Sequence, residues 1–250
     1  MHSTSRGFSL VELSIVLVIL GLLTGGILAG QSLIRAAELR AVSTEQQRYA
    51  AAIGTFRDKY FSIPGDMNNA TSFGAAAWVG NGDGDGLVET TGTATTNEIS
   101  LFWIHMAAAG LIEGSYTNIA NTTLTAGTNN PRSKLNNAGW NVGNLGTVAT
   151  TPTTTYFEGS YGNAFLFGGG TSATLPTEAL KPEEAWNIDT KADDANPATG
   201  AIVTLERDAL AAAAAAGCSN PVAATTTLAA STYALDQSGV NCALVIKTGY

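Results

Sequence analysis

Hydrophobic positions fall into distinct regimes along the chain. From Phe8 to Gly30 almost every residue is apolar or small, and Glu12 is the sole charged residue in those 23 positions. A helix of that length rises ~34 Å, enough to cross the hydrocarbon core of a bilayer. From Gln31 to Lys59 the unbroken run gives way to a stripe. Val42, Tyr49, Ile53, Phe56 and Tyr60 recur at spacings of seven, four, three and four, while Arg35, Glu38, Arg40, Glu45, Arg48, Arg57 and Asp58 lie mostly off it. That is one face of an amphipathic helix. No proline precedes Pro64, and Gly54 is the only glycine between Gln31 and Lys59. The two stretches therefore read as one rod of roughly 50 residues, or ~75 Å. Ser62-Ile63-Pro64-Gly65-Asp66 ends it, because proline disfavours helix just before itself and cannot continue the hydrogen-bond ladder.

Beyond the rod the pattern becomes short-ranged. A mostly buried helix is expected from Thr96-Asn97-Glu98 to Gly110, capped at Thr95 or Thr96 and carrying Leu101, Trp103, Ile104, Met106 and Ala108. Thr117 to Thr155 is rich in Asn, Thr and Gly and reads as loops and weak strands. Thr154 to Leu166 alternates enough for one or two strands before the Gly168-Gly169-Gly170 turn. Pro182, followed by Glu183 and Glu184, marks a helix start. An acidic turn then leads to a strand at Ala201 to Leu205, and Asn241 to Lys247 makes a terminal strand. The six-alanine run Ala211 to Ala216 reads as either a short helix or a low-complexity loop.

Composition narrows the function classes. Of 250 residues, about 220 remain after the apolar helix, enough for one domain with its own core. The net charge is −8, and the 12 Lys and Arg, Arg35, Arg40 and Arg48 among them, form no tight cluster, so no basic face is evident for nucleic acid. Two histidines are present, His2 near the start and His105 among apolar residues, and no nucleophile motif accompanies them. The reading is that the chain is not an enzyme, with His105 a hydrogen-bonded structural residue.

Glu12 is then the anomaly, since a carboxylate in hydrocarbon costs several kcal/mol and marks function more often than accident. The start also differs from a secretory signal, in which a small-residue cleavage site follows a shorter apolar core. Here the small residue, Gly7, precedes the apolar run. A cut between Gly7 and Phe8 would leave an amino group four residues before Glu12, on the same helix face. The amine of the same chain, or that of a neighbour in a packed array, would satisfy the acid.

Gly7-Phe8-Ser9-Leu10-Val11-Glu12-Leu13 resembles the processing and methylation motif of type IV pilins and type II secretion pseudopilins. The resemblance implies cleavage after Gly7 by a prepilin peptidase, N-methylation of the new terminus at Phe8, and pairing of Glu12 with the N-terminus of a neighbouring subunit. It implies an α+β, pilin-like fold: a long N-terminal helix, membrane anchor plus stalk, packed on a C-terminal antiparallel sheet. The expected division is a leader at 1–7, a transmembrane helix at 8–30, an amphipathic stalk at 31–61 and a globular head at 62–250. Lys59 to Asp66 and Ile188 to Gly200 also look like segments of large prepilin-like proteins. Many pilins place a proline well inside the helix; this chain instead offers Gly21, Gly25, Gly26 and Gly30 as soft points, each costing ~1 kcal/mol relative to alanine.

The implied partners are other pilin subunits in a helical filament, the prepilin peptidase, an inner-membrane assembly platform and membrane lipid, with no nucleic acid. The implied location is the bacterial inner membrane, single-pass with the head in the periplasm, followed by an extracellular pilus or a periplasmic pseudopilus. Major pilin, minor tip pilin and secretion pseudopilin remain open. A membrane-tethered module binding a surface or sugar, with Trp78 or Trp140 as a stacking platform, is the alternative from another class.

Two further features carry chemistry. In Asn81-Gly82-Asp83-Gly84-Asp85-Gly86-Leu87-Val88-Glu89, oxygen-bearing side chains alternate with glycine as in the first half of a calcium loop. Asn81, Asp83 and Asp85 would give side-chain oxygens, Leu87 a carbonyl and Glu89 a carboxylate or bridged water. The bidentate Glu of an EF-hand would fall at Gly92, so the loop is not an EF-hand, and Glu98 is a candidate to complete the set. A solvated Asp-Gly turn is the alternative, with no cofactor at all. Asp189, Asp193 and Asp194 can likewise hold a cation or serve as capping and turn residues. Finally, Cys218 and Cys242, an even count in an exported chain, suggest a disulfide, against the alternative of two free thiols.

Overall fold

The computed structural model describes residues 7, 9–74, 77–90, 97–119, 124–148, 157–170, 177–205, 217–220 and 228–249. The expected cap at Thr95 or Thr96, the alternation at 154–156, the alanine run at 211–216 and the methylation position Phe8 lie outside the described residues. The rod expected from the hydrophobic pattern is one helix, α1, at Leu10–Tyr60. Its 51 residues rise ~76 Å. It runs unbroken through Gly21, Gly25, Gly26, Gly30 and Gly54, at each of which an added Cβ would meet nothing. The polar side chains of its apolar part bond to their own helix. Ser14 donates to the Val11 carbonyl, Thr24 to Leu20 and Gly21, and Ser32 to Ala29. Those hydroxyls therefore need no water, as a hydrocarbon surround demands.

No residue of α1 before Val42 is buried; from there Val42, Glu45, Tyr49, Ala52, Ile53 and Phe56 line one face. The stripe is as expected except for Glu45, which lies on it rather than off it, three residues after Val42 and four before Tyr49. The helix closes at Phe61, whose backbone is left-handed (φ 53°) and whose N–H donates to the Arg57 carbonyl at 2.8 Å. Pro64 follows, where the ladder cannot continue.

The head is built from α2 (Glu98–Ala108), β1 (Gly139–Asn144), β2 (Thr147–Val148), β3 (Gly159–Ser160), β4 (Asn163–Gly168), α3 (Pro182–Ala192), β5 (Ile202–Thr204), β6 (Ser219–Asn220), β7 (Thr232–Tyr233) and β8 (Leu244–Lys247). The main sheet is antiparallel in the order β1-β4-β8-β5; β2 pairs with β3 and β6 with β7. The fold is therefore α+β, a long N-terminal helix followed by a four-stranded antiparallel sheet. The terminal strand is interior to the sheet: β8 lies between β4 and β5.

Register sorts the strand residues onto two faces. Trp140 opposes Phe167, Val142 opposes Phe165, and Phe165 and Phe167 in turn oppose Ile246 and Leu244. These side chains join the α1 stripe and Ile99, Phe102, Trp103 and Met106 of α2 in the principal core. Tyr49 sits at its centre, edge-on to Trp103 at 5.2 Å and to Trp140 at 5.6 Å between centroids. The alternate residues Ala164, Leu166, Val203 and Val245 form a second, smaller core on the other face with Tyr161, Leu205 and Ala243. Both faces are buried, so these strands read as near-continuous apolar runs rather than clean alternation.

α3 begins with Pro182 at its first turn, as expected, and is fastened to the stalk. Arg35 of α1 grips Glu184 with Nε to Oε1 at 2.5 Å and a second nitrogen to Oε2 at 2.6 Å. Such forked pairs are both directional and stronger than single contacts. Cys218 and Cys242 form a disulfide. Cys242 is fully buried and exchanges backbone hydrogen bonds with Leu180, so the bridge pins the β6–β7 segment to the lead into β8.

Candidate functional site

Three places bring together the residues that the sequence singles out. The first is the start of α1. Ser9, in extended backbone, caps the helix: its Oγ accepts from the Val11 N–H at 3.3 Å. Glu12 reaches back, and its Oε2 accepts from the Ser9 N–H at 2.9 Å. This is a capping box, in which the acid at the third helical position satisfies a donor that the helix start would otherwise orphan. Gly7 lies two residues ahead of the cap and is exposed. Leu10, Val11, Leu13 and the apolar residues that follow are exposed too, and α1 is the one described helix long and apolar enough to cross a membrane.

The second place is the glycine-punctuated loop. Asp83 Oδ1 accepts from Asp85 N–H, and Asp85 Oδ1 from Leu87 N–H, each a local turn. Asn81 Oδ1 accepts from Thr71 N–H at 2.9 Å. Asp66, which follows the Pro64-Gly65 stop, supplies what local spacing does not reveal. Its two oxygens accept from Gly84 N–H at 2.7 Å and Gly86 N–H at 3.0 Å. A carboxylate oxygen from each of Asp66, Asp83 and Asp85 lies within 4.8 Å of the other two, and Glu89 is not in that group. Gly82 is required here: a Cβ would sit 2.4 Å from the Asp66 backbone.

Glu98 closes the loop from the other side, its oxygens accepting from Asp83 N–H at 3.0 Å and Glu89 N–H at 3.1 Å. Burial pushes its carboxyl up to about 7, against the pull of those two amides. His105 holds the adjacent turn. Its Nδ1 accepts from Gly65 N–H at 3.0 Å, which leaves the Nε2 proton facing the Gly80 carbonyl at 3.2 Å. Burial drives its pKa down to about 4, so it is a neutral strut, as the sequence suggests.

The third place is the C-terminal end of α3, where carboxylate oxygens of Asp189, Asp193 and Asp194 lie within 4.8 Å of one another. Asp193 and Asp194 act as turn residues. Asp193 Oδ2 accepts from Ala201 and Ile202 N–H, and Asp194 accepts from Asn196 N–H and the Thr199 hydroxyl. Asp189 instead points inward, to the Tyr233 hydroxyl at 2.8 Å, and burial first, then its acidic neighbours, raises its carboxyl to about 6.

Trp140 is fully buried and Trp78 nearly so, which removes both as stacking platforms for a sugar. The missed residues were Glu45 and Asp66. The 42/45/49 spacing carried a signal for Glu45. Nothing local did for Asp66, which acts on amides 18 and 20 residues away.

The chain thus presents a long helix, bare at its N-terminal end and packed against a sheet-bearing head further on. Residues 2–28 match the prokaryotic N-terminal methylation motif, the signature of type IV pilins and pseudopilins and of substrates of prepilin peptidase. No curated protein and no solved structure matches the chain.

Proposed function

We propose that the chain is a structural subunit of a type IV pilus or a related filament. A prepilin peptidase removes residues 1–7, Phe8 becomes the methylated N-terminus, and the helix holds the subunit in the bacterial inner membrane with its head in the periplasm until assembly. The filament core is then made by packing of N-terminal helices, and Glu12 takes the terminal amine of a neighbour. The observation that carries this reading is the methylation motif on the end of a helix in which no residue before Val42 is buried within the chain. A surface of that size and apolarity is stable only against lipid or against like helices.

N-terminal mass spectrometry of the mature protein tests the reading. A chain beginning at methylated Phe8 is expected, and a chain still beginning at Met1 overturns it. Counting copies in sheared surface filaments separates a major pilin from a tip subunit or a secretion pseudopilin. If the 81–89 loop takes calcium, Asp66 joins Asp83 and Asp85 in holding it, and the loop's existing amide contacts leave water and backbone carbonyls to complete the shell.

A further inference from the structure

Where the stalk leaves its apolar segment, the charges around it do not balance. Ile34 is the last large exposed hydrophobic of that segment. Arg35 follows it and is neutralised, gripping Glu184 and reaching Glu38 at 3.3 Å. Arg40 comes ~9 Å along the helix from Ile34 and is exposed. Among the described residues its guanidinium makes no hydrogen bond or ion pair.

Two grooves flank Arg40. One, of about 570 Å³, lies between α1 and α3, with Arg40, Ser43 and Gln47 on one wall and Asn187 and Lys191 on the other. No carboxylate lines it. Lys191 is exposed and, like Arg40, has no partner among the described residues. The other groove, of about 490 Å³, runs beside Ile34, Ala37 and Ala41 and adds Arg48 and Lys134. Its two acids are already engaged, Glu38 by Arg35 and Glu45 by Ser133, Trp140 and the Lys134 amide. Arg48 donates to the Tyr49 hydroxyl, which leaves Arg40, Lys134 and Lys191 as the uncommitted cations of the two grooves. Of the acids on α3 and its following turn, Glu183 lies outside the lining of both grooves, and Asp193 and Asp194 are held by amides and a hydroxyl of their own turn. In a chain of net charge −8, this is a local positive excess.

The position of that excess selects its ligand. Helical side chains lean towards the N-terminus, so Arg40 is directed back towards the apolar segment, and a long cationic side chain can lie along apolar surface with its charge at the level of lipid phosphates. Cations just outside a membrane helix attract anionic lipid. The groove beside Ile34, Ala37 and Ala41 continues the apolar surface of the helix outward. A molecule with both a phosphate and an apolar part therefore uses both grooves, where a free phosphate would use one.

We propose that Arg40, Lys134 and Lys191 bind the phosphate of an anionic phospholipid and hold the foot of the head on the membrane surface before the subunit is assembled. The inference rests on α1 spanning a bilayer, as the proposed function has it.

The test is native mass spectrometry of the full chain released from neutral detergent micelles that carry equal amounts of phosphatidylglycerol and phosphatidylcholine. The wild type should retain phosphatidylglycerol in preference. Arg40→Gln, Lys134→Gln and Lys191→Gln should each weaken that retention about fivefold, and the triple variant should erase the preference. All three side chains are exposed, so the variants should fold. Equal retention of the two lipids by the wild type, or an unchanged preference in the triple variant, would overturn the proposal. Displacement of the lipid by an equal concentration of inorganic phosphate would overturn the lipid as occupant and assign the site to free phosphate. Flotation of the wild type with phosphatidylcholine vesicles separates the two possible failures: a chain that does not float overturns the membrane reading and this site together, whereas a chain that floats but shows no preference overturns this site alone.

Discussion

Two of the three glutamates of α1, Glu12 and Glu45, answer the same problem in opposite ways. Glu45 is buried under the head and spent entirely within the chain: it accepts from the Ser133 hydroxyl at 2.7 Å, the Trp140 indole N–H at 2.7 Å and the Lys134 amide at 2.9 Å. Glu12, near the bare end, accepts from one amide, that of Ser9, and among the described residues nothing distant approaches it. A carboxylate has about four acceptor sites. Glu45 has most of its capacity filled by segments 88 to 95 residues away, so it acts as fold glue. Glu12 has most of its capacity uncommitted among the described residues, which leaves room for the amine that the proposed function assigns to it. The same residue type on the same helix is committed to the fold at one end and largely uncommitted among the described residues at the other.

That contrast breaks most sharply at Glu45. Glu45→Ala leaves the Trp140 indole, the Ser133 hydroxyl and the Lys134 amide without their acceptor, at ~1–3 kcal/mol for each buried donor that stays unpaired. A loss of about 4 kcal/mol in head stability is expected, read as a lower denaturant midpoint. A loss under ~1 kcal/mol would show that water replaces the carboxylate and that the glutamate is not glue.

His105 extends the idea of a polar group spent on the chain. Its pKa is lowered from 6.5 to about 4, so below pH 6.5 the unfolded chain binds a proton that the folded head refuses. Stability should therefore fall as pH drops from about 6.5 to about 4, by up to about 3 kcal/mol from this group. Glu98, raised to about 7, and Asp189, raised to about 6, act in the opposite direction over much of the same window. Each binds a proton more tightly folded than unfolded, so acidification relieves the strain of their burial. The difference between wild type and His105→Gln isolates the histidine: the variant should lose the acid-side decline. Identical pH profiles would mean that the imidazole is solvated.

The disulfide offers a comparable effect by a different route. Cys218→Ser/Cys242→Ser removes a cross-link between residues separated by 24 positions, which in the chain-entropy model is worth about 3 kcal/mol. The loss should appear in the head and leave membrane insertion by the bare half of α1 unchanged.

How much of this was legible in sequence follows the range of the interactions. The anchor, the stripe, Pro182 as a helix start and the terminal strand were readable because each rests on a local period or one residue's backbone chemistry. Glu45 lies on the stripe, three residues after Val42 and four before Tyr49, although a charged side chain is by itself expected on the exposed face. A buried acid is legible only once its three donors, all from 133 to 140, are known to arrive. The 81–89 loop showed its alternating acids, but its organisation depends on Asp66 and Glu98, one on each side of it in the chain. The strands were only partly visible, because both faces of the sheet are buried and the period-two signal is lost.

The smallest effect on stability, and the most discriminating on function, is expected at Glu12. Head stability should change by less than ~0.5 kcal/mol in any Glu12 variant, since the residue touches nothing in the head and surface changes away from special features are near neutral. Filament incorporation should not be so indifferent. Glu12→Ala removes both the capping contact to Ser9 and the charge, whereas Glu12→Gln keeps a carbonyl oxygen that can still accept from the Ser9 amide and removes the charge alone. If Glu12 serves only to start its own helix, glutamine should restore normal incorporation. If it receives the amine of a neighbour, glutamine should fail nearly as badly as alanine. A charge-assisted bond is worth ~1.5–3 kcal/mol against about 1 for a neutral one, so incorporation measured in sheared filaments should fall about tenfold or more in both variants. Wild-type incorporation by Glu12→Gln would turn the apparent asymmetry between the two glutamates into a difference of position only, both of them serving their own chain.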